Sequence, residues 1–247
     1  MPGLLIINAD DFGGNPLATD RIAECFAAGR VTSTTAMVYM CDSERAAAIG
    51  LSGQLTVGLH LNLTQEFESS ATPPQVRERQ ARAVRYFADR RLRRFTFNPL
   101  LNAHVRRCVA DQLERFCEIF DREPSHIDGH NHAHLSPTAL LALPRGVPTR
   151  TAQSSEPDRP SALLETTRHA VIAHRHPTTD YFLAIDRLGP SPTEREIDQL
   201  LALADNASVE IMVHPDRDKD FRILMSDAWM NALRRHVLGS FAQLRRS

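Results

Sequence analysis

Leu4-Leu-Ile-Ile-Asn-Ala-Asp-Asp-Phe-Gly-Gly14, near the start of the chain, indicates how the protein folds. Its four branched apolar residues are typical of a strand that is buried on both faces of a parallel sheet. Asp10 and Asp11 follow at the end of that strand, where an unused charge is costly. One of these acids could cap the next helix, but capping hardly accounts for both. The pair therefore predicts a functional site at the carboxyl end of the first strand.

Short apolar strands and amphipathic helices alternate along the rest of the chain. Further strands are predicted at 31–39, 56–64, 126–134, 180–185 and 208–215, with a short one around 147–150, and helices at 17–28, 43–50, 99–121, 161–174, 192–204 and 226–244. This alternation predicts a parallel sheet, and over 247 residues it predicts a distorted (β/α) TIM-like barrel. We expect a single α/β domain over residues 1–247, with an irregular insertion or lid around 65–104.

The composition excludes several classes of partner. A formal net charge of -1 provides no general field that would attract nucleic acid. No segment approaches the roughly 20 apolar residues that a membrane helix needs, so we expect no stable membrane insertion. The start of the chain lacks the features of a signal peptide, and the four cysteines form no C-x-x-C pair. Together these features predict a cytoplasmic protein with reduced thiols, and they leave its oligomeric state open, a homodimer included.

A second polar stretch, His126-Ile-Asp-Gly-His-Asn-His-Ala-His134, concentrates groups that bind metals. In an extended conformation its four histidines and Asp128 would share one face. Imidazole and carboxylate ligands together suit zinc and related ions. The two ends of an extended run of this length are too far apart to share one ion. Other parts of the chain must therefore complete the site.

Polar residues also stand at the ends of other predicted strands. His60 belongs to a polar stripe on the third strand, and His214 ends the last one. In (β/α) barrels the carboxyl ends of the strands meet around one mouth. We therefore expect Asp10, Asp11, His60, His130 and His214 to converge from distant parts of the chain.

The motifs around these residues resemble those of a known family. They are Asn8-Ala-Asp-Asp-Phe-Gly13, Val31-Thr-Ser-Thr-Thr35, Gly58-Leu-His-Leu-Asn-Leu-Thr64, His126-Ile-Asp-Gly-His-Asn-His-Ala-His134 and Glu210-Ile-Met-Val-His-Pro215. Together, and in this order, they resemble the YdjC-like carbohydrate deacetylases, the ChbG/HpnK group. The five motifs span nearly the whole chain, so the resemblance is not confined to one segment.

The resemblance implies both an activity and a set of site residues. The activity is metal-dependent hydrolysis that removes the acetyl group from an acetylated amino sugar. One divalent metal ion, Zn²⁺ or Mg²⁺, would be held by Asp11, His60 and His130. Asp10 would be the general base and His214 the partner acid.

The sequence leaves the roles of three residues and the identity of the substrate open. Asp128 could orient a neighbouring histidine, while His132 and His134 could do the same or contact sugar hydroxyls. The acetylated sugar could belong to a chitooligosaccharide, to a glycolipid or to another carrier.

Two other function classes remain as alternatives. Another metal-dependent amidohydrolase or phosphoesterase would usually open with H-x-H on its first strand, whereas this chain has Asp-Asp there. A non-catalytic sugar-binding relative would keep a pocket without turnover, whereas this chain retains every ligand and both acid–base candidates.

Overall fold

Six parallel strands form one curled sheet in the computed structural model, which describes residues 3–53, 55–88, 96–152 and 162–244. The strands are β1 (Leu4–Phe12), β2 (Ser33–Ala36), β3 (Thr56–Leu61), β4 (Ile127–Gly129), β5 (Tyr181–Ala184) and β6 (Ser208–Val213). Their order across the sheet is β4-β3-β2-β1-β6-β5, and every pair is parallel. The predicted parallel sheet is thus confirmed, with β1 near its centre.

Nine α-helices connect or flank these strands in the described residues. They are α1 (Pro16–Ala27), α2 (Ser43–Ser52), α3 (Pro74–Ala88), α4 (Pro99–Phe120), α5 (Pro137–Leu140), α6 (Ala162–Arg175), α7 (Glu194–Leu201), α8 (Asp218–Leu224) and α9 (Asp227–Leu233). Asn15 and Asn98 cap α1 and α4 by accepting hydrogen bonds from first-turn amides, and a proline follows each cap. Both choices suit a helix start, because the first amides have no partner within the helix.

The core explains why the first strand is so apolar. β1 lies between β2 and β6, and every residue from Leu5 to Asp10 is buried. Helices cover the sheet with large side chains such as Phe116 and Trp229, which are fully buried. A strand buried on both faces needs a continuous apolar run, as the sequence predicted.

An irregular segment after α5 lies between β4 and the residues that lead into β5. The amide of Ile127 donates to the carbonyl of Pro148 at 2.8 Å, and that of Arg150 donates to the carbonyl of Ile127 at 3.2 Å. On the other side, the amide of Thr149 donates to the carbonyl of Pro177 at 2.9 Å. The strand predicted around 147–150 is therefore a single bridge to β4, and the barrel is distorted as predicted.

The histidine-rich stretch differs from the prediction. It is extended only over Ile127–Gly129, and His130–Leu135 then folds into 3-10 turns. Asn131 and His132 adopt left-handed backbone conformations, with φ of 54° and 57°. The hydroxyl of Thr64 holds this turn, because it lies 2.8 Å from Nδ1 of His130 and accepts from the Asn131 side chain at 3.2 Å. α5 begins directly after the turn, with the Ser136 side chain as its cap. The prediction that one extended face carries all five polar groups is wrong.

The predicted closing helix over 226–244 is confirmed only at its start, over Asp227–Leu233, and is wrong beyond it. α9 ends at Leu233, and the chain then runs beside the start of β1. The amide of Leu5 donates to the carbonyl of Val237 at 2.9 Å, and that of Gly239 donates to the carbonyl of Leu5 at 3.0 Å. These bonds to the sheet replace helical ones, and they bring Phe241 into the core.

The region around 65–104 contains α3 and the start of α4. Arg79 of α3 pairs with Asp111 of α4 at 2.6 Å, and Gln80 donates to the carbonyl of Asn62 at 2.9 Å. Its role as a lid remains a prediction, and residues 89–95 lie outside the described part. In the ranges that are described, no helix combines the length and the apolar character needed to cross a bilayer.

Replacing Gly58 with alanine should destabilise the protein. A Cβ atom there would lie 2.5 Å from Nδ1 of His126, whose ring is stacked on Phe241 at 3.8 Å. Relieving such overpacking should lower the free energy of unfolding by about 1–3 kcal/mol, as measured by urea denaturation. Gly189→Ala is the control, because nothing lies within 4 Å of the added atom. Equal unfolding midpoints for the two variants would contradict this packing.

Candidate metal and catalytic site

A bulge at the end of β1 allows its two adjacent acids to face one site. The pairing with β2 shifts register between Ala9 and Phe12, and Asp11 has a left-handed φ of 71°. Neighbouring residues of a regular strand point to opposite faces, whereas a bulge re-aims a side chain. The side chain of Asp10 is 2% exposed and that of Asp11 is 19% exposed. Asp10 thus lies beneath the mouth of the barrel, and Asp11 lies at it.

A buried arginine, Arg150, neutralises the carboxyls inside the barrel. Its two terminal nitrogens donate to both oxygens of Asp10, at 2.8 and 2.6 Å. It also pairs with Asp128 at 2.8 Å and donates from Nε to Glu210 at 2.8 Å. The planar fork of a guanidinium suits such multiple contacts. One cation therefore joins carboxyls from β1, β4 and β6.

Arg150 also sets the charge state of its partners. Burial opposes ionisation of Asp10, but the guanidinium outweighs it and holds the pKa of Asp10 well below its usual range. Burial raises the pKa of Glu210 to about 7, against the pull of Arg150. Burial likewise raises the pKa of Asp128. Asp10 is therefore the carboxyl that stays ionised most firmly in this cluster.

Asn8 fixes the orientation of Asp10 from below. Its amide nitrogen donates to Asp10 Oδ1 at 3.0 Å and to Thr35 Oγ1 at 3.2 Å. Its amide oxygen accepts from Ser33 Oγ at 2.8 Å and lies 3.1 Å from Nε2 of His126. His126 is therefore a structural part of the site and not one of its exposed groups.

His60 connects the buried cluster to the mouth. Its Nδ1 lies 2.7 Å from Asp128 Oδ1, which is a hydrogen-bond distance. Its Nε2 lies 3.2 Å from Asp11 Oδ1, although that oxygen has no aligned hydrogen-bond partner among the described residues. Two ligands on a tetrahedral zinc ion are separated by about 3.3 Å when their bonds are about 2.0–2.1 Å. The Asp11–His60 pair therefore fits a shared divalent ion.

The electrostatics around His60 also favour a positive charge. Burial would lower the pKa of His60, but the carboxylates of Asp128 and Asp10 outweigh it and hold the pKa well above the usual value. Burial opposes the ionised form of Asp11 too, but His60 lowers its pKa overall. A cation that binds between Asp11 and His60 could replace the proton that these charges favour.

Asp10, His60 and Asp128 form the most compact group of metal-capable side chains in the described residues. Their ligand atoms all lie within 4.8 Å of one another. The Arg150 guanidinium already occupies the space between Asp10 and Asp128, however, with contacts of 2.6 and 2.8 Å. The 2.7 Å contact between His60 and Asp128 is also too short to hold an ion between them. We therefore favour the Asp11 side of His60 as the metal position.

His130 and His214 complete the convergence that the sequence predicted, at larger distances. The His130 ring packs edge-on against His60 with centroids 5.7 Å apart, and burial lowers its pKa to about 4. Its nitrogens do not join the compact group. His214 Nε2 lies 3.9 Å from Asp11 Oδ2. Asp10, Asp11 and His60 are thus in direct proximity, and the two other histidines flank them.

The remaining histidines of the stretch, His132 and His134, are not part of the compact group. His132 packs edge-on against Phe182 with centroids 5.5 Å apart, and His134 is fully buried. Burial lowers the pKa of His132 to about 3 and that of His134 well below its usual value. Both rings are therefore neutral at neutral pH.

Three functional residues were not found from the sequence. Arg150 lies in a proline-rich segment and Glu210 inside an apolar strand, while Asn8 sits in a strand next to the acids. Arginines are rarely buried, so an arginine in a predicted loop is expected to lie at the surface. Nothing in the sequence therefore indicated that Arg150 belongs to the site. Glu210 offered a usable signal, because a carboxylate in a buried strand requires a partner.

The fold is similar to that of two bacterial proteins of known structure. A protein of Enterococcus faecalis described as a cellobiose-phosphate cleavage protein has a TM-score of 0.73 at 22% identity, covering 98% of both chains. A family 4 acetyl xylan esterase from Clostridium thermocellum, solved with a cobalt ion, has a TM-score of 0.51 at 13% identity, covering 96% of this chain and 86% of that one. At these identities the likeness concerns the fold alone, and it confirms the distorted TIM-like barrel.

The chain belongs to the family of YdjC-like proteins. The family's sequence profile matches residues 4–235. A relative from Enterobacter sp. (strain 638), a chitooligosaccharide deacetylase, is 34% identical over 221 residues, which cover 87% of this chain and 82% of the relative. The family predicted from the five motifs is thus confirmed.

Replacing Arg150 with methionine should destabilise the protein strongly. The change leaves Asp10, Asp128 and Glu210 buried without their cation, which should cost about 3–5 kcal/mol in the free energy of unfolding, measured by urea denaturation. Arg235→Met is the matched control, because Arg235 forms its ion pairs on the surface and should lose at most about 1 kcal/mol. A similar loss in both variants would show that Arg150 does not stabilise the barrel interior.

Proposed function

We propose that this protein is a metal-dependent hydrolase that removes the N-acetyl group from an acetylated amino sugar of an oligosaccharide or glycolipid. The proposal rests chiefly on the Asp11–His60 pair, which faces the mouth at a distance suited to a shared ion. The ionised Asp10 lies next to it, with Oδ2 4.0 Å from His60. The name of the Enterobacter relative supports the same chemistry.

We assign Asp11, His60 and His130 as the metal ligands. The Nδ1–H of His60 would donate to Asp128, which leaves the Nε2 lone pair free for the ion. His130 is proposed as the third ligand because its ring packs edge-on against that of His60, with centroids 5.7 Å apart. Its Nδ1 lies 2.8 Å from Thr64 Oγ1, a contact that orients the ring.

The ligand chemistry favours one metal over the other. Two imidazoles and one carboxylate suit Zn²⁺, whereas Mg²⁺ prefers oxygen ligands and bound water. When bound, a divalent ion lowers the pKa of a water molecule and polarises the acetyl carbonyl. We therefore propose Zn²⁺ as the better match for this site, with Mg²⁺ as the alternative.

Asp10 is the proposed general base. Arg150 keeps its carboxylate ionised, and Asn8 and Arg150 together fix its orientation. Oδ2 accepts one hydrogen bond from Arg150 and faces His60, so it has capacity to accept a proton from an attacking water. The guanidinium that orients Asp10 also lowers its pKa and so makes it a weaker base. Asp10 therefore needs a water molecule whose own pKa is lowered, as a bound divalent ion would do.

His214 is the proposed acid for the leaving amine. Its side chain is 12% exposed and its Nε2 lies 3.9 Å from Asp11 Oδ2, so it stands at the mouth where a sugar would enter. Its backbone amide donates to Asp220 Oδ2 at 3.0 Å, which fixes the chain after β6. Donation of a proton from this ring to the sugar nitrogen would complete cleavage of the amide.

The metal content of variants tests the ligand assignment. We expect the wild-type protein to hold a single ion per chain by elemental analysis, and Asp11→Asn to lose most of it because a ligand is removed. Asp10→Asn should retain the ion, because Asp10 is bound to Arg150 and not to metal. Loss of metal in Asp10→Asn with retention in Asp11→Asn would instead support the Asp10–His60–Asp128 group. Two ions per chain would favour the phosphoesterase alternative.

Acetate release tests the activity and the base. Metal-loaded wild-type protein should release acetate from at least one member of a panel of acetylated amino sugars and their oligomers. Asp10→Asn should lose turnover by roughly 10²–10⁴-fold, because it cannot accept a proton. Asp216→Asn is the matched control, since it changes a nearby acid outside the proposed machinery. Near-normal turnover in Asp10→Asn would exclude Asp10 as the base.

A further inference from the structure

A cleft of about 640 Å³ lies on the flank of the barrel, apart from the acid–histidine site. It is bounded by α4, by the segment that follows α5 and by the end of α6, and it shares no residue with the polar cluster. α6 ends at Arg175 and leads into the start of β5. This part of the cleft therefore lies towards the amino ends of the strands, away from the mouth.

The cleft carries an excess of positive charge. Arg106, Arg145 and Arg175 line it, and no acidic side chain does. Among the described residues, the side chain of Arg106 donates only to neutral acceptors, the carbonyl of Leu141 at 3.2 Å and the Asn102 side chain at 3.3 Å. Within the described ranges, the side chains of Arg145 and Arg175 form no hydrogen bond or ion pair, and Nε of Arg175 is buried without a partner.

Arg175 carries its positive charge in unfavourable surroundings. Burial lowers its pKa, and the charges of Arg145 and Arg106 lower it further. Buried donors and unpaired like charges are both unfavourable, and a bound anion would relieve both at once. The planar guanidinium groups match the oxygens of a phosphate, and three of them can share more negative charge than a single carboxylate carries.

The rest of the cleft is mostly apolar, with the side chain of Asn102 as a polar exception. Its accessible apolar surface comes from Leu113 of α4 on one wall and from Leu141 and Pro144 on the other, because Val109 and Leu143 are almost completely buried. A phosphate alone would leave these walls uncovered, whereas an apolar group attached to it would bury them. We propose that the cleft binds an amphipathic phosphate monoester, with the phosphate among the three arginines and the apolar part between α4 and the 141–144 segment. This proposal does not depend on the deacetylase function.

Calorimetric titration of the full chain tests this site, with hexyl phosphate as the probe. Hexyl phosphate should bind more tightly than inorganic phosphate, and hexanol should not bind measurably. Arg175→Gln should weaken the binding of hexyl phosphate by roughly tenfold or more, because a charge-assisted contact is lost. Arg145→Gln should also weaken the binding of hexyl phosphate. Because Arg145 is exposed, this variant provides the test if Arg175→Gln folds poorly.

Arg195→Gln is the matched control, because it removes one positive charge from an exposed position on α7 outside the cleft. It should change the affinity by less than about twofold, since surface charges are screened at physiological salt. Thermal melting checks that each variant is folded. The proposal is wrong if hexyl phosphate does not bind, if inorganic phosphate binds equally tightly, or if Arg175→Gln and Arg145→Gln weaken binding no more than Arg195→Gln does.

Discussion

The interior of this barrel depends on the contacts between Arg150 and three carboxyls. Its guanidinium lies 2.6–2.8 Å from Asp10, Asp128 and Glu210, and all four side chains are buried. A charge in such surroundings is tolerated only when it is paired and hydrogen-bonded. The cluster therefore ties β1, β4 and β6 to the irregular segment that follows α5. Between the edge strands β4 and β5, which do not pair with each other, these ion pairs help to hold the barrel together.

The same cluster gives the two neighbouring acids different environments. Asp10 is committed to Arg150 and Asn8, while the bulge at the end of β1 turns Asp11 towards His60 and the mouth. If both carboxylates faced the same ion, they would repel each other and compete for it. This difference supports the separate roles proposed for them, Asp10 as the base and Asp11 as a metal ligand. His60 lies between them, with one ring nitrogen facing Asp128 and the other facing Asp11.

The sequence predicted what depends on periodic patterns and on the positions of strand ends. The apolar run before Asp10, and the alternation of strands and helices, predicted a parallel barrel whose polar residues meet at one mouth. The turn over His130–Leu135 was not predicted, because a period-two pattern assumes that the chain stays extended. Arg150 was missed for a different reason: its role comes from long-range pairing, and no local pattern marks an arginine that will be buried.

The proposed metal position can be tested by a crystal structure of the zinc-loaded protein, with anomalous data collected at the zinc edge. We expect one anomalous peak about 2.0–2.2 Å from Asp11 Oδ1 and His60 Nε2, with His130 as a further ligand and Arg150 still paired with Asp10. A peak between Asp10, His60 and Asp128, with Arg150 displaced from that space, would show that the metal position proposed here is wrong.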